Sequence, residues 1–385
     1  MTPAIEIQLI AVLTAAACAI PGVFLVLRKM ALISDAISHS ILPGIVIGFF
    51  ITHDLASPWL ILFAAFSGII TVILVEMVQK TGLVKEDTAI GLVFPVLFSI
   101  GVILIAQNAN DVHLDIDAVL LGDLAFAPFD RWILNGTDMG PRGLYLISTI
   151  LLITILLLFL FYKELKVSTF DVGLSSALGF SPVVLHYGLM SVSSVTTVAA
   201  FDAVGAILVV ALMIAPAAAA YLLTSDLKKM IVLSILFGCG SAIGGYWLAR
   251  VLDASISGSI TTVLGTLFLL VYLFAPAKGL IAVSIRQNRQ QIEVSLLTFL
   301  LHLNNHDSLE ERRVGHLQEH INWGKVRSRS VLNLALKNNM ITIDEKVVSL
   351  TRKGKEFTEK ALDYIISNRN EKIEDIKDDF FLFRG

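Results

Sequence analysis

The chain has 385 residues, 56% of them hydrophobic and only 16% charged, with a formal net charge of −3. Soluble domains carry about 25% charged residues, so a wholly soluble protein is excluded, while so small a net charge points to no class of partner. The charges are unevenly spread: 17 of 29 Lys+Arg and 15 of 32 Asp+Glu lie from Arg286 onward. The chain therefore divides into a membrane domain, residues 1–285, and a soluble domain of about 100 residues, 286–385.

A bilayer crossing needs about 20 apolar residues. Taken in order, the apolar runs are Ile7–Leu27, Pro58–Val75, Thr88–Ala106, Leu144–Tyr162, Val183–Ala200, Ala203–Leu223, Met230–Ala249 and Gly258–Ala275. No basic stretch precedes the first, which reads as a retained span and not a cleaved signal. Cys18 and Cys239 fall in separate apolar runs and read as small buried hydrophobes. A ninth span exists if Ser40–Ile51 is extended back to Ile33. Pro43 and Gly44 would interrupt it, as in the broken helices that line transporter sites.

Basic residues support the ninth span. With nine crossings and the N-terminus outside, Arg28, Lys29, Lys80, Lys85, Lys163, Lys166, Lys228, Lys229 and Lys278 lie on the inner side. The outer side holds Arg131, Arg142 and Arg250, as the excess of Lys and Arg on cytoplasmic loops requires. Eight crossings would put Lys80, Lys85, Lys163 and Lys166 on the wrong side. An odd number leaves the C-terminal domain in the cytoplasm. Between spans, 107–142 is a long outer connection with a partly apolar centre, Ala118–Phe129, that reads as a re-entrant or surface helix. Val167–Pro182 reads as a short helix on the inner surface.

The ninth span carries "ALISDAISHS", with Asp35 and His39 one helical turn apart on the same face. A carboxylate beside an imidazole is a pair of metal ligands or a salt bridge, and the residues alone admit both. Ionisable groups inside a span are costly, by about 2.5–3.5 kcal/mol for a central Asp, and function is the default explanation. Ser34 and Ser38 stand ready to hold the carboxylate or to bond their own backbone. His186 and Asp202, near span ends, read as interfacial.

Three stretches carry a resemblance. "ALISDAISHSILPGIVIGFF" (31–50), "FDVGLSSALGF" (170–180) and "VGAILVVALMIAPAAAAYLL" (204–223) resemble, in the same order, the second-helix, coupling-helix and Val-Gly…Pro-Ala-Ala motifs of the permeases of ABC importers for manganese, zinc and iron. The resemblance covers about residues 5–285. It implies an all-α polytopic membrane protein with about nine spans, metal ligands at Asp35 and His39, and no resident cofactor. It implies an ATPase-coupling element at Phe170, Asp171, Gly173, Leu178, Gly179 and Phe180. The expected partners are cytoplasmic ABC ATPase subunits, an extracytoplasmic metal-binding lipoprotein and a second permease, identical or homologous. Oxygen and nitrogen ligands suit Mn²⁺, Fe²⁺ and Zn²⁺, and manganese is the first expectation. No G-x-x-x-x-G-K-[ST] occurs in the chain, so ATP hydrolysis is expected from a separate subunit.

The tail reads as helices at Ile292–Leu303, Leu309–Ile321 and Lys325–Asn338, then a hairpin and a long helix. Three helices and a wing make a winged helix-turn-helix, and "SLTRKGKEF" resembles the wing end of DtxR- and MarR-like repressors. Lys325, Arg327, Arg329 and Lys337 would occupy its recognition helix. A tail with 17 basic and 15 acidic residues is weakly charged for a groove binder, so docking or metal sensing is expected before DNA binding. A membrane-tethered, metal-responsive DNA-binding regulator and an intramembrane metallopeptidase using H-x-x-E-H are the competing readings. "HLQEH", His316–His320, matches H-x-x-E-H; without a third ligand it reads as a helix face, with a regulatory metal at His316, Glu319 and His320 as the outside alternative.

Overall fold

The computed structural model describes residues 2–53, 58–108, 124–134, 137–305, 312, 325–345 and 347–367. It divides into two compact units, residues 1–279 and 280–385. In the first, among the described residues, nine helices are long and apolar enough to cross a membrane. They begin with α1 (Pro3–Leu27), followed by α2 (Leu32–Ser40) and α3 (Leu42–Thr52), which form one interrupted span. Next come α4 (Pro58–Lys80), α5 (Glu86–Asn108), a hairpin of β1 (Arg131–Leu134) and β2 (Thr137–Pro141), and α6 (Arg142–Leu160). Two short helices, α7 (Tyr162–Phe170) and α8 (Val172–Ala177), precede the last four spans. These are α9 (Pro182–Val204), α10 (Ala206–Leu223), α11 (Leu227–Leu252) and α12 (Ile256–Phe274).

Small polar residues fix the boundaries that apolar run length leaves vague. Ser181 and Asp226 accept hydrogen bonds from the first turns of α9 and α11, and Pro182 fills the first helical position, where no N–H is needed. Asp226 accepts from both Lys228 and Lys229, which holds its carboxyl below the usual carboxylate range. Between α9 and α10 stands one residue, Gly205, with φ at 83°. The turn from α1 to α2 has Lys29 left-handed (φ 63°), with Lys29 N–H bonded to Val26 and Met30 N–H to Leu25. That is a Schellman closure.

Helix α1 is the centre of the unit, packed against α6, α9, α10 and α11. Close approach depends on Gly22, where an added Cβ would fall 2.0 Å from the carbonyl oxygen of Met213 on α10. Small residues at such crossings let backbones meet where lipid supplies no hydrophobic drive. Near the start of α1 the buried Glu6 receives Arg131 of the hairpin at 2.9 and 3.2 Å. The hairpin follows the stretch Ala118–Phe129, expected as a re-entrant or surface helix; of that stretch residues 124–129 form turns, and residues 118–123 lie outside the described residues.

The interrupted span breaks at Ile41, two residues before the proline expected to interrupt it. The reason is steric: a proline ring clashes with the carbonyl four residues back, which for Pro43 belongs to His39. Ser67 of α4 donates to the carbonyl of Ser40 at 2.7 Å, and Thr71 reaches the Ser40 hydroxyl at 2.6 Å. Gly44 then lets α3 lie on α4, since a Cβ there would meet the Phe63 carbonyl at 2.4 Å.

The second unit comprises α13 (Leu280–Asn305), α14 (Lys325–Lys337), an antiparallel pair β3 (Ile341–Asp344) and β4 (Val347–Leu350), and α15 (Arg352–Ser367). Leu296, Phe299, Leu300, Val331, Met340 and Val348 form its core. The first helix starts before the expected Ile292, because the sequence from Leu280 lacks a breaker. The expected helix Leu309–Ile321 lies outside the described residues apart from Arg312, which is in a turn.

Gly22→Val should lower the thermal midpoint of the detergent-solubilised protein sharply, since overpacking costs about 1–3 kcal/mol or more. Gly240→Val, with open space around its Cβ, should leave the midpoint nearly unchanged in the same unfolding assay.

Candidate metal site

On α2 the residues Ile33, Ser34, Ala36, Ile37, Ser38 and Ser40 are buried against neighbouring helices. Asp35 and His39 are not: their side chains are 39% and 33% exposed. They share a stripe with Leu32 and the half-buried Leu42, on the face that packing leaves open. His39 Nε2 lies 3.5 Å from Asp35 Oδ1, and the imidazole sits 5.6 Å from the Phe94 ring of α5. Two donors each about 2.1 Å from one ion stand no more than about 4.2 Å apart, so one ion fits between them without moving either backbone. Ser34 and Ser38 do not hold the carboxylate. Ser34 donates to the sulfur of Met213 at 2.9 Å and Ser38 to the carbonyl of Ser34 at 3.0 Å. Among the described residues no group of three or more His, Cys, Asp or Glu is placed to hold a metal.

A second carboxylate–imidazole pair, absent from the sequence reading, makes the first easier to interpret. His186 of α9 bonds Glu76 of α4 through Nε2. The other Glu76 oxygen accepts from Tyr187 at 2.8 Å and from Lys80 at 3.3 Å, while Arg28 lies 3.3 Å from His186 Nδ1. This pair is saturated, whereas Asp35 and His39 have each other and open space. His186 is thus a member of a cross-helix network and not merely an interfacial residue. An ionisable Glu directly after the apolar run Pro58–Val75, still inside α4, was the available signal. Its partner lies 110 residues away, beyond any helical spacing rule.

The six residues expected to couple to an ATPase gather at α7 and α8. Asp171 caps α8, its Oδ1 accepting from Leu174 N–H at 2.9 Å. Gly179 (φ 85°) and Phe180 close the same helix with Schellman bonds to Ser176 and Ser175. Held this way, Phe170, Val172, Leu174 and Leu178 point outward. Gly173 is exposed and Phe180 half-buried.

In the second unit Lys325, Arg327, Arg329 and Lys337 lie on α14. Arg327 is committed inward, to the Ser295 hydroxyl at 2.9 Å and the Gln291 carbonyl at 3.2 Å. His316, Glu319 and His320 fall outside the described residues.

The family described as ABC 3 transport family matches residues 3–275. A zinc transport system membrane protein of Treponema pallidum is 45% identical over 362 residues, 93% of this chain and 98% of that protein. A manganese transport system membrane protein of Bacillus subtilis is 43% identical over 282 residues, covering 73% of this chain and 95% of that protein. Among solved structures, PsaBC from Streptococcus pneumoniae in complex with Fab aligns with TM-score 0.61 at 28% identity, over 72% of this chain and 94% of that one.

The open stripe is testable in single-cysteine variants. Asp35→Cys and His39→Cys should react with a small polar thiol reagent in the detergent-solubilised protein, while Ser34→Cys and Ser38→Cys should stay unlabelled by mass spectrometry.

Proposed function

The chain belongs to the ABC 3 transport family, and from that membership we propose that it is the permease subunit of an ATP-driven importer of a divalent transition metal ion. It is a multi-pass membrane protein. The observation that carries the reading is the open Asp35–His39 pair on an interrupted span whose other polar groups are bonded away. Asp35 supplies charge and oxygen, His39 supplies nitrogen, and a second permease subunit supplies the remaining ligands across a two-fold. Manganese is the first expectation for such a donor set, with zinc and iron of the same class. The relative that matches nearly the whole chain is named for zinc, which keeps that ion prominent.

In this reading the N-terminus lies outside and the C-terminal region in the cytoplasm. Support comes from the gathering of basic residues at one end of the bundle. Arg28 and Lys80 share the Glu76 network there, and Lys228 stacks on Tyr162. At this end α7 and α8 present Phe170, Val172, Leu174 and Leu178 to an ATPase subunit, which hydrolyses ATP on the permease's behalf. A metal-binding lipoprotein delivers the ion at the opposite end. The permease domain is taken as 1–285 and the C-terminal domain, 286–385, as winged-helix-like, supported by the order α14, β3, β4, α15 and the Met340-centred core. The inward commitment of Arg327 favours docking or sensing over DNA binding.

Asp35→Asn and His39→Ala should each nearly abolish metal uptake at normal protein level. The double variant Asp35→Asn, His39→Gln should stay inactive, because two amides bind a transition metal poorly; transport by a stable double variant would refute the ligand assignment. Leu178→Asp with Phe180→Asp should abolish assembly with the ATPase, measured by co-purification, while membrane insertion persists. Deleting residues 292–385 should leave measurable uptake but alter its shut-off at high cell metal.

A further inference from the structure

The Glu76 network reaches beyond its carboxylate–imidazole pair. Arg28 Nη1 lies 3.3 Å from His186 Nδ1, while Nε donates to the Thr169 hydroxyl and Nη2 to the Ser168 hydroxyl, both at 3.2 Å. Ser168 and Thr169 are the residues just before Phe170, at the end of α7. Arg28 caps α1, and the Schellman turn after it leads directly into α2. One side chain therefore joins the base of the α7–α8 element to the end of α1, just before the turn that leads into the helix carrying Asp35 and His39.

The hydrogen positions follow from chemistry. A guanidinium only donates, so His186 Nδ1 must accept and its Nε2 must carry the hydrogen that goes to Glu76. The imidazole is needed as one acceptor and one donor facing opposite ways. Arg28 is mostly buried, and that burial pulls its pKa below the ordinary value. Its partners are thus spent on holding a charge that water does not reach freely, and a buried charge left without partners is strongly destabilising. Moving the end of α7 away from Arg28 would break two of its three side-chain contacts, those to Ser168 and Thr169, and leave only His186.

We propose that Arg28, His186 and Glu76 form a strut that transmits displacement of the Phe170–Phe180 element to the α1–α2 turn, and so to the metal-carrying stripe of α2. These are positioning residues; none touches the ion. The inference rests on the reading of Phe170–Phe180 as the ATPase-docking element. It also explains why an imidazole stands at position 186, where a purely interfacial residue would not need two opposed bonds.

The test measures Mn²⁺ and Zn²⁺ entry together with ATP hydrolysis in vesicles containing the complete importer. Arg28→Ala and His186→Ala should still co-purify with the ATPase and hydrolyse ATP, while ions moved per ATP fall about tenfold, within the range of coupling between distant sites. His186→Gln, which keeps one acceptor and one donor, should restore the ratio. Ser168→Ala with Thr169→Val cuts the same link without removing a charge and should reproduce the loss. An unchanged ratio in these variants, while Leu178→Asp with Phe180→Asp abolishes assembly, overturns the strut alone. Loss of assembly in His186→Ala that His186→Gln does not repair shows a merely structural role and also overturns it. Normal assembly of the Leu178→Asp, Phe180→Asp variant overturns the docking reading and the strut with it.

Discussion

Within a bilayer every backbone polar group needs a protein partner, and the span from Leu32 to Thr52 is where this chain strains that requirement. Pro43 withdraws an N–H and pushes away the carbonyl of His39, so the helix cannot run through. At the break itself α4 supplies partners to the next residue, Ser67 bonding the carbonyl of Ser40 and Thr71 reaching its hydroxyl. With those bonds made, α2 is short, held on several sides and offset from α3. Asp35 and His39 can then face open space although they sit on a helix whose other side is buried.

The two carboxylate–imidazole pairs show how context assigns roles to the same chemistry. Asp35 and His39 lie on one helix, with an aromatic ring nearby and no other polar partner among the described residues. Glu76 and His186 lie on different helices and are enclosed by Tyr187, Lys80 and Arg28. A ligand needs lone pairs that the protein has not already used, while a brace needs them all used. The first pair is accordingly suited to cargo and the second to holding helices in register.

Much of this was legible in the residues. Runs of about 20 apolar side chains mark spans because the bilayer sets their length, and the count of nine agrees with the helices described. The i, i+4 spacing of Asp35 and His39 was readable because one helix contains both. Helix ends were less so: Ser181 and Asp226 act as caps by local geometry, which run length ignores, and the break at Ile41 precedes the proline that causes it. The β1–β2 hairpin escaped notice because its strands have only four and five residues, too few for alternation to stand out. The Arg28–His186–Glu76 network escaped because it joins three helices, and sequence spacing carries no information about which helices become neighbours.

Gly205 has a consequence for how the chain is made. A single residue separates α9 from α10, so neither has a loop on which to wait in water while the other enters the bilayer. With so short a link, entry of the pair into the bilayer as one hairpin is the expected route. Since α9 carries His186 and α10 carries the Met213 sulfur that receives Ser34, both anchors for the first two spans arrive together. The order of synthesis then becomes an order of assembly: α1 and α2 are in the membrane early but gain their final contacts only when this hairpin joins them.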